Sequence, residues 1–143
     1  RMNNLTELVI FCDGGARGNP GPAATGVVVM TKSGAIVAQA GHYLGNATNN
    51  EAEYHGVINA LQLVIERKYK PVNIVFKLDS LLVVKQLQKK FKIKESRLTA
   101  LFNNVKSLEN QLQANVNFVH IPRHQNSQAD KIVNETLDSK SRI

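Results

Sequence analysis

The segment FCDGGARGNPG, residues 11–21, closes an apolar run with one carboxylate and then turns to glycine, alanine, arginine, asparagine and proline. Four glycines among these eleven residues permit positive φ and let main-chain N–H groups approach a ligand closely, or they simply make a tight hairpin. Which reading holds depends on whether the rest of the chain supplies partners for Asp13.

Upstream, LTELVIFC (5–12) reads as a strand, which places Asp13 at a strand end. Downstream, TGVVVM (25–30) and SGAIVAQAGHYL (33–44) read as two further strands joined by a Ser-Gly turn, an antiparallel meander. The apolar period then changes from two to 3.6. Val57, Ala60, Leu61, Val64 and Ile65 form one stripe of a helix from Glu51 to Tyr69, with Asn49 and Asn50 as N-terminal caps and Pro71 as its stop. A strand at 72–78 ends on Asp79-Ser80, and LLVVKQLQ (81–88) is helical. A second amphipathic helix fits 97–110, a fifth strand 114–121, and a last helix 127–138. The order βββαβααβα predicts an α/β fold, a mixed five-stranded sheet flanked by helices.

A chain of 143 residues fits one domain across 1–143, with a core over about 5–138 and no linker. Composition is 43% hydrophobic and 20% charged, as expected of a globular chain. The apolar runs are too short to span a membrane, and RMNNLTE lacks the apolar core of a signal peptide, so a cytoplasmic protein without membrane contact is expected. Cys12 is the one cysteine; inside an apolar strand it reads as a buried, unreactive thiol. The net charge of +7, from 18 Lys and Arg against 11 Asp and Glu, favours an acidic partner without naming it. Positive residues gather at ERKYK (66–70) and KQLQKKFKIK (85–94), either a solvated helix face or a basic ridge. With no tryptophan, base stacking would fall to Tyr and Phe.

Four carboxylates stand at element boundaries: Asp13 ending strand one, Glu53 in the first turn of helix one, Asp79 ending strand four, and Asp130 in the first turn of the final helix. Each has an ordinary reading as a cap or as a complement to the helix dipole. Together they can converge on one edge of the sheet. For Asp13 and Asp79 to share an ion they must end side by side, which sets strand one beside strand four. Carboxylates gathered there without a cation repel one another, so the cluster demands bound metal or raised pKa values. An all-oxygen set without Cys or His points to Mg²⁺ or Mn²⁺, ions suited to two-metal phosphodiester hydrolysis.

DGGARGNPGPAATG from Asp13, TNNEAEY with Glu53, LDS with Asp79 and HIPRHQNSQAD ending in Asp130 resemble, in order, the four signature segments of type 1 ribonuclease H. The resemblance covers residues 7–138 and implies a ribonuclease H-like fold with strand order 3-2-1-4-5. It implies cleavage of the RNA strand of an RNA–DNA hybrid to 5′-phosphate and 3′-hydroxyl products, with two Mg²⁺ ions, or Mn²⁺, held by the carboxylates. Asp13 would bridge both ions, Glu53 and Asp79 would complete the first, and Asp130 would serve the second. Backbone at Gly14, Gly15 and Ala16 would meet RNA riboses, while Asn19, Thr48, Asn49 and Asn50 would position the strands.

Two departures from the family pattern stand out. A short, tryptophan-free KKFKIKESR replaces a long basic protrusion, leaving Lys89, Lys90, Lys92 and Lys94 to compensate, and no separate hybrid-binding domain is expected within this length. The loop before Asp130 is short, and His124 is its positional match for a histidine that relays a proton or helps product leave. His120, His42 and His55 carry no such expectation. A monomer is expected, and double-stranded RNA is a second candidate substrate. A catalytically silent nucleic-acid-binding domain is the alternative of a different class, disfavoured because a bare acidic cluster hinders polyanion binding. A transposase or integrase would share the sheet and metal chemistry, but no appended DNA-recognition domain is evident.

Overall fold

Apolar alternation along two short segments builds the centre of the sheet. In the computed structural model, which describes residues 5–141, Leu8, Ile10 and Cys12 of β1 (Glu7–Ala16) and Ile74, Phe76 and Leu78 of β4 (Asn73–Leu78) all point into one core. The two strands run parallel, with Leu8 opposite Ile74 and Ile10 opposite Phe76. β2 (Gly21–Thr31) and β3 (Ile36–Ala47) complete the antiparallel meander, and β5 (Asn115–His120) pairs parallel with β4. The order is β3-β2-β1-β4-β5, as expected. The helices are α1 (Asn49–Glu66), α2 (Leu81–Leu87), α3 (Ser96–Leu112) and α4 (Ser127–Ser141).

Strand β2 shows how the two faces are divided. Val27 and Val29 join the main core beneath α1, whereas Ala24 packs with Val133 and Leu137 of α4. That is the period of two expected of a strand covered on both sides. A polar network crosses the main core: Tyr54 Oη donates to Gln86 Oε1 at 2.8 Å, and Gln86 Nε2 donates to the Lys92 carbonyl at 3.4 Å. It ties the basic connection between α2 and α3 to the helix that carries Glu53. No helix among the described residues is long and apolar enough to cross a membrane.

Several boundaries differ from the sequence reading. β1 does not stop at Asp13 but continues to Ala16, and β2 begins at Gly21 rather than residue 25. The ladder runs on through Asp13↔Gly26, Gly14↔Thr25, Gly15↔Ala24 and Ala16↔Ala23, so the turn shrinks to the residues between them. Pairing with β2 overrides the weak strand propensity of glycine. Thr48, rather than Asn49 or Asn50, caps α1 in a reciprocal box: its hydroxyl accepts from the Glu51 N–H at 3.1 Å while Glu51 Oε1 accepts from the Thr48 N–H at 2.9 Å. Glu53 therefore sits in the second turn of α1, not the first. The segment before α4 is a single 3-10 turn, Arg123–Asn126, where a loop was expected.

Two glycines set how closely helices approach the sheet. A Cβ at Gly14 would overlap the Ala52 carbonyl of α1, and one at Gly26 would overlap the Ala129 carbonyl of α4. Gly14→Ala is therefore expected to cost about 1–3 kcal/mol by overpacking, read as a lower urea midpoint at unchanged slope. Gly15→Ala, whose added methyl meets only Val133 Cγ1 at 3.7 Å, serves as the control. Equal midpoints for the two variants would contradict this account.

Candidate active site

The close packing of α1 on β1 brings Glu53 against Asp13, and the parallel β1–β4 pairing brings Asp79 beside both. Oxygens from Asp13, Glu53 and Asp79 lie within 4.8 Å of one another. Asp13 and Glu53 are buried and Asp79 is half-buried. Asp130, in the first turn of α4, lines the same open cleft of about 500 Å³ and adds its charge to Asp13. Convergence of the four, expected from their boundary positions, is therefore observed, with three of them forming the tight group.

The electrostatics follow from this crowding. Burial, with the charges of Asp79 and Asp130, pushes Asp13 up to about 8, against a smaller opposing pull from the Gly14 N–H. Burial also raises Glu53 well above the usual range, with the charges of Asp13 and Asp79 adding to it and Arg123 and the Gly14 N–H working the other way. Cys12 is raised by burial and by Glu53 and Asp13, so its thiol stays neutral, as the sequence suggested. Glu53 Oε1 is buried and has no hydrogen-bond partner among the described residues. An orphaned carboxylate oxygen in a group made wholly of oxygen donors is the environment a hard divalent cation such as Mg²⁺ or Mn²⁺ fits.

Around the acids, short amides do most of the tethering. Ala16 N–H donates to Asn49 Oδ1 and Asn49 N–H donates to Asn19 Oδ1, each at 2.9 Å, joining the glycine-rich turn to the start of α1. The Ala16 N–H is thus donated internally. Gly14, Gly15, Ala16, Asn49 and Asn50 line the cleft; Asn19 and Thr48 do not, and take part instead in these tethers and in the helix cap. Arg17 pairs with Asp138 at 2.8 Å and donates to Asn134 Oδ1 at 3.2 Å, while Asn134 Nδ2 donates to Asp130 Oδ2 at 3.4 Å.

His124 is exposed on the 3-10 turn and does not line the cleft; its neighbour Arg123 does. Lys89, Lys90, Lys92 and Lys94 are all exposed and none lines the cleft, Lys89 and Lys90 instead bordering a separate hollow with Lys106 and Phe118. Sequence reasoning passed over Arg123, Asn126 and Asn134. Asn126 is 1% exposed, and its Nδ2 donates to the Cys12 carbonyl at 2.8 Å and to Asp79 Oδ2 at 3.3 Å. The only signal was its place inside HIPRHQNSQAD, a polar residue among polar residues.

Residues 11–136 match the family described as reverse transcriptase-like. The chain is 37% identical over 134 residues to the bifunctional protein Rv2228c of Mycobacterium tuberculosis, covering 93% of this chain and 36% of that protein. It is 37% identical over 128 residues to the ribonuclease HI of Halobacterium salinarum, covering 90% of this chain and 63% of that one. The chain thus spans less than two thirds of the length of either relative. Among solved structures, LC11-RNase H1 in complex with an RNA/DNA hybrid superposes with a TM-score of 0.88 at 39% identity, covering 93% of this chain and 98% of that one.

The raised Asp13 generates a pH dependence with a defined sign. A carboxyl near 3.8 when unfolded and about 8 when folded holds its proton more tightly in the folded state. Its contribution to stability is full below about pH 4, shrinks as pH rises, and is gone above the folded value. Metal-free protein should therefore lose melting temperature between pH 5 and 8 relative to Asp13→Asn, and an added divalent cation should raise it more at pH 8 than at pH 5. A wild-type-minus-variant difference that stays constant across this range would refute the assignment.

Proposed function

The chain belongs to the type 1 ribonuclease H family, and from that premise we propose that it is a metal-dependent endoribonuclease that cuts the RNA strand of RNA–DNA hybrids. One observation carries the reading: Asp13, Glu53 and Asp79 meet within 4.8 Å at the wall of an open cleft. Two divalent cations would be held by these carboxylates, one by Asp13 with Glu53 and Asp79 and a second by Asp13 with Asp130. As Mg²⁺ or Mn²⁺ they would supply positive charge at the scissile phosphate and a lowered pKa for attacking water.

The chain's own groups account for the rest. Asp13 and Glu53, both raised by burial and repulsion, release protons as the site loads, so metal affinity rises with pH. Backbone at Gly14 and Gly15 offers close approach to the RNA strand, where a 2′-hydroxyl distinguishes it from DNA. Asn50 and the side chain of Asn49 lie along the same wall. Lys89, Lys90, Lys92 and Lys94 add attraction to phosphates at a distance from the chemistry, which the salt dependence of hybrid binding would report. His124, one residue from Arg123 at the cleft rim, relays a proton or assists product release when nucleic acid is bound.

A labelled panel of RNA–DNA, RNA–RNA, DNA–DNA and single-stranded RNA with Mg²⁺ or Mn²⁺ tests the substrate. Cleavage of the RNA strand in RNA–DNA is expected, and the RNA–RNA arm reads whether double-stranded RNA is a second substrate. Asp13→Asn and Asp79→Asn should nearly abolish turnover while keeping a cooperative melt. Wild-type turnover by either variant at saturating Mg²⁺ and hybrid would end this reading.

His124→Ala should slow turnover with little change in metal affinity, by about 10²-fold or more if the group transfers a proton and by less if it acts in release. Turnover equal to wild type across pH 6 to 9 would remove His124 from the mechanism.

A further inference from the structure

Asn126 ends the 3-10 turn that leads into α4 and is almost fully buried. Its amide donates through one nitrogen to two acceptors, one on β1 and one just past the end of β4: the carbonyl of Cys12, the residue before Asp13, and the Oδ2 of Asp79. Those two acceptors define the orientation of the amide, since the flipped form would set Oδ1 against a carbonyl and a carboxylate. The orientation leaves Oδ1 buried without a partner among the described residues. Burying an unpaired acceptor costs about 1–3 kcal/mol, so packing alone does not account for an amide at this position.

We propose that Asn126 is a positioning residue for the carboxylate cluster, holding the Asp79 side chain in register with Asp13. The hydrogen bond to Oδ2 fixes the rotation of a half-buried carboxylate that stands just beyond the end of β4. The bond to Cys12 references that rotation to β1, and the backbone of Asn126 runs directly into the helix bearing Asp130. One uncharged group thereby connects the three elements that carry Asp13, Asp79 and Asp130. An amide does this without the positive charge that would neutralise the cluster and compete with a cation. The inference rests on the metal-binding reading above and adds a residue that sets how well the ligands are aimed.

Asn126→Leu removes both donors at similar volume, and Asn126→Ser removes their reach without overpacking. Binding of Mn²⁺ alone, measured by calorimetry without nucleic acid, should weaken by about 10–100-fold in either variant, the usual effect of removing a group that orients a metal ligand. The Mg²⁺ concentration giving half-maximal hybrid cleavage should rise in step. Turnover should recover toward wild type in excess Mg²⁺, with KM for the hybrid unchanged. A purely structural role would lower the melting temperature and leave Mn²⁺ affinity where it was. The proposal is overturned if a folded variant binds Mn²⁺ like wild type, or if neither variant folds, which would make Asn126 a core residue and nothing more. Wild type that neither binds Mn²⁺ nor cuts hybrid would remove the functional reading and this one together; wild type that does both, matched by the variants, removes only this one.

Discussion

Like charges held together inside a folded chain are the constraint around which this molecule is arranged. At the observed separations, two ionised carboxylates at an effective dielectric of about 20 repel by roughly 3–4 kcal/mol, more than the ~1 kcal/mol net gain of an ordinary hydrogen bond. Burial first, and this repulsion after it, raise Asp13 and Glu53, so without a cation those two hold their protons more tightly than ordinary carboxyls. Holding such groups in place takes a rigid frame. The parallel β1–β4 ladder supplies one side of it, and the bare backbone of Gly14, against which α1 rests, supplies the other.

Neutral amides build the surroundings of that frame. Asn126 reaches Cys12 and Asp79, Asn134 reaches Asp130, and Asn49 with Asn19 joins the glycine-rich turn to α1. Each fixes a direction through hydrogen bonds without changing the charge of the cluster. Cationic groups stand farther out: Arg17 is engaged with Asp138, and Arg123 at the rim tempers Glu53 without a direct ion pair among the described residues. The division lets the interior stay acidic while the chain as a whole is basic.

Much of this was legible from residue order. The apolar runs within LTELVIFC and VNIVFKL marked the central strands, and four acids at element boundaries pointed to one edge of the sheet. What escaped had identifiable physical causes. Glycines read as a turn at Gly14 and Gly15 because local preference is visible in sequence and a ladder with residues 24 and 25 is not. The Thr48–Glu51 box was present as a T-x-x-E pattern but was eclipsed by the two asparagines beside it. Asn126 gave no sign, since its meaning lies in contacts with residues far away along the chain. His124 and the four lysines could be recognised as chemistry, but their distance from the cleft depended on the path of a 3-10 turn and of the segment anchored through Lys92.

The sheet order has a consequence for the route to the native state. The four acids are drawn from positions between residue 13 and residue 130, and the neighbouring strands that seat Asp13 and Asp79 are separated in sequence by the rest of the meander and α1. Contacts of such long sequence separation are intrinsically slow to close. A cation that binds the assembled cluster and not the unfolded chain would draw the folding equilibrium forward by mass action. A chain in which these long-range contacts are open has its acids apart, so the cluster exists only where the tertiary structure does.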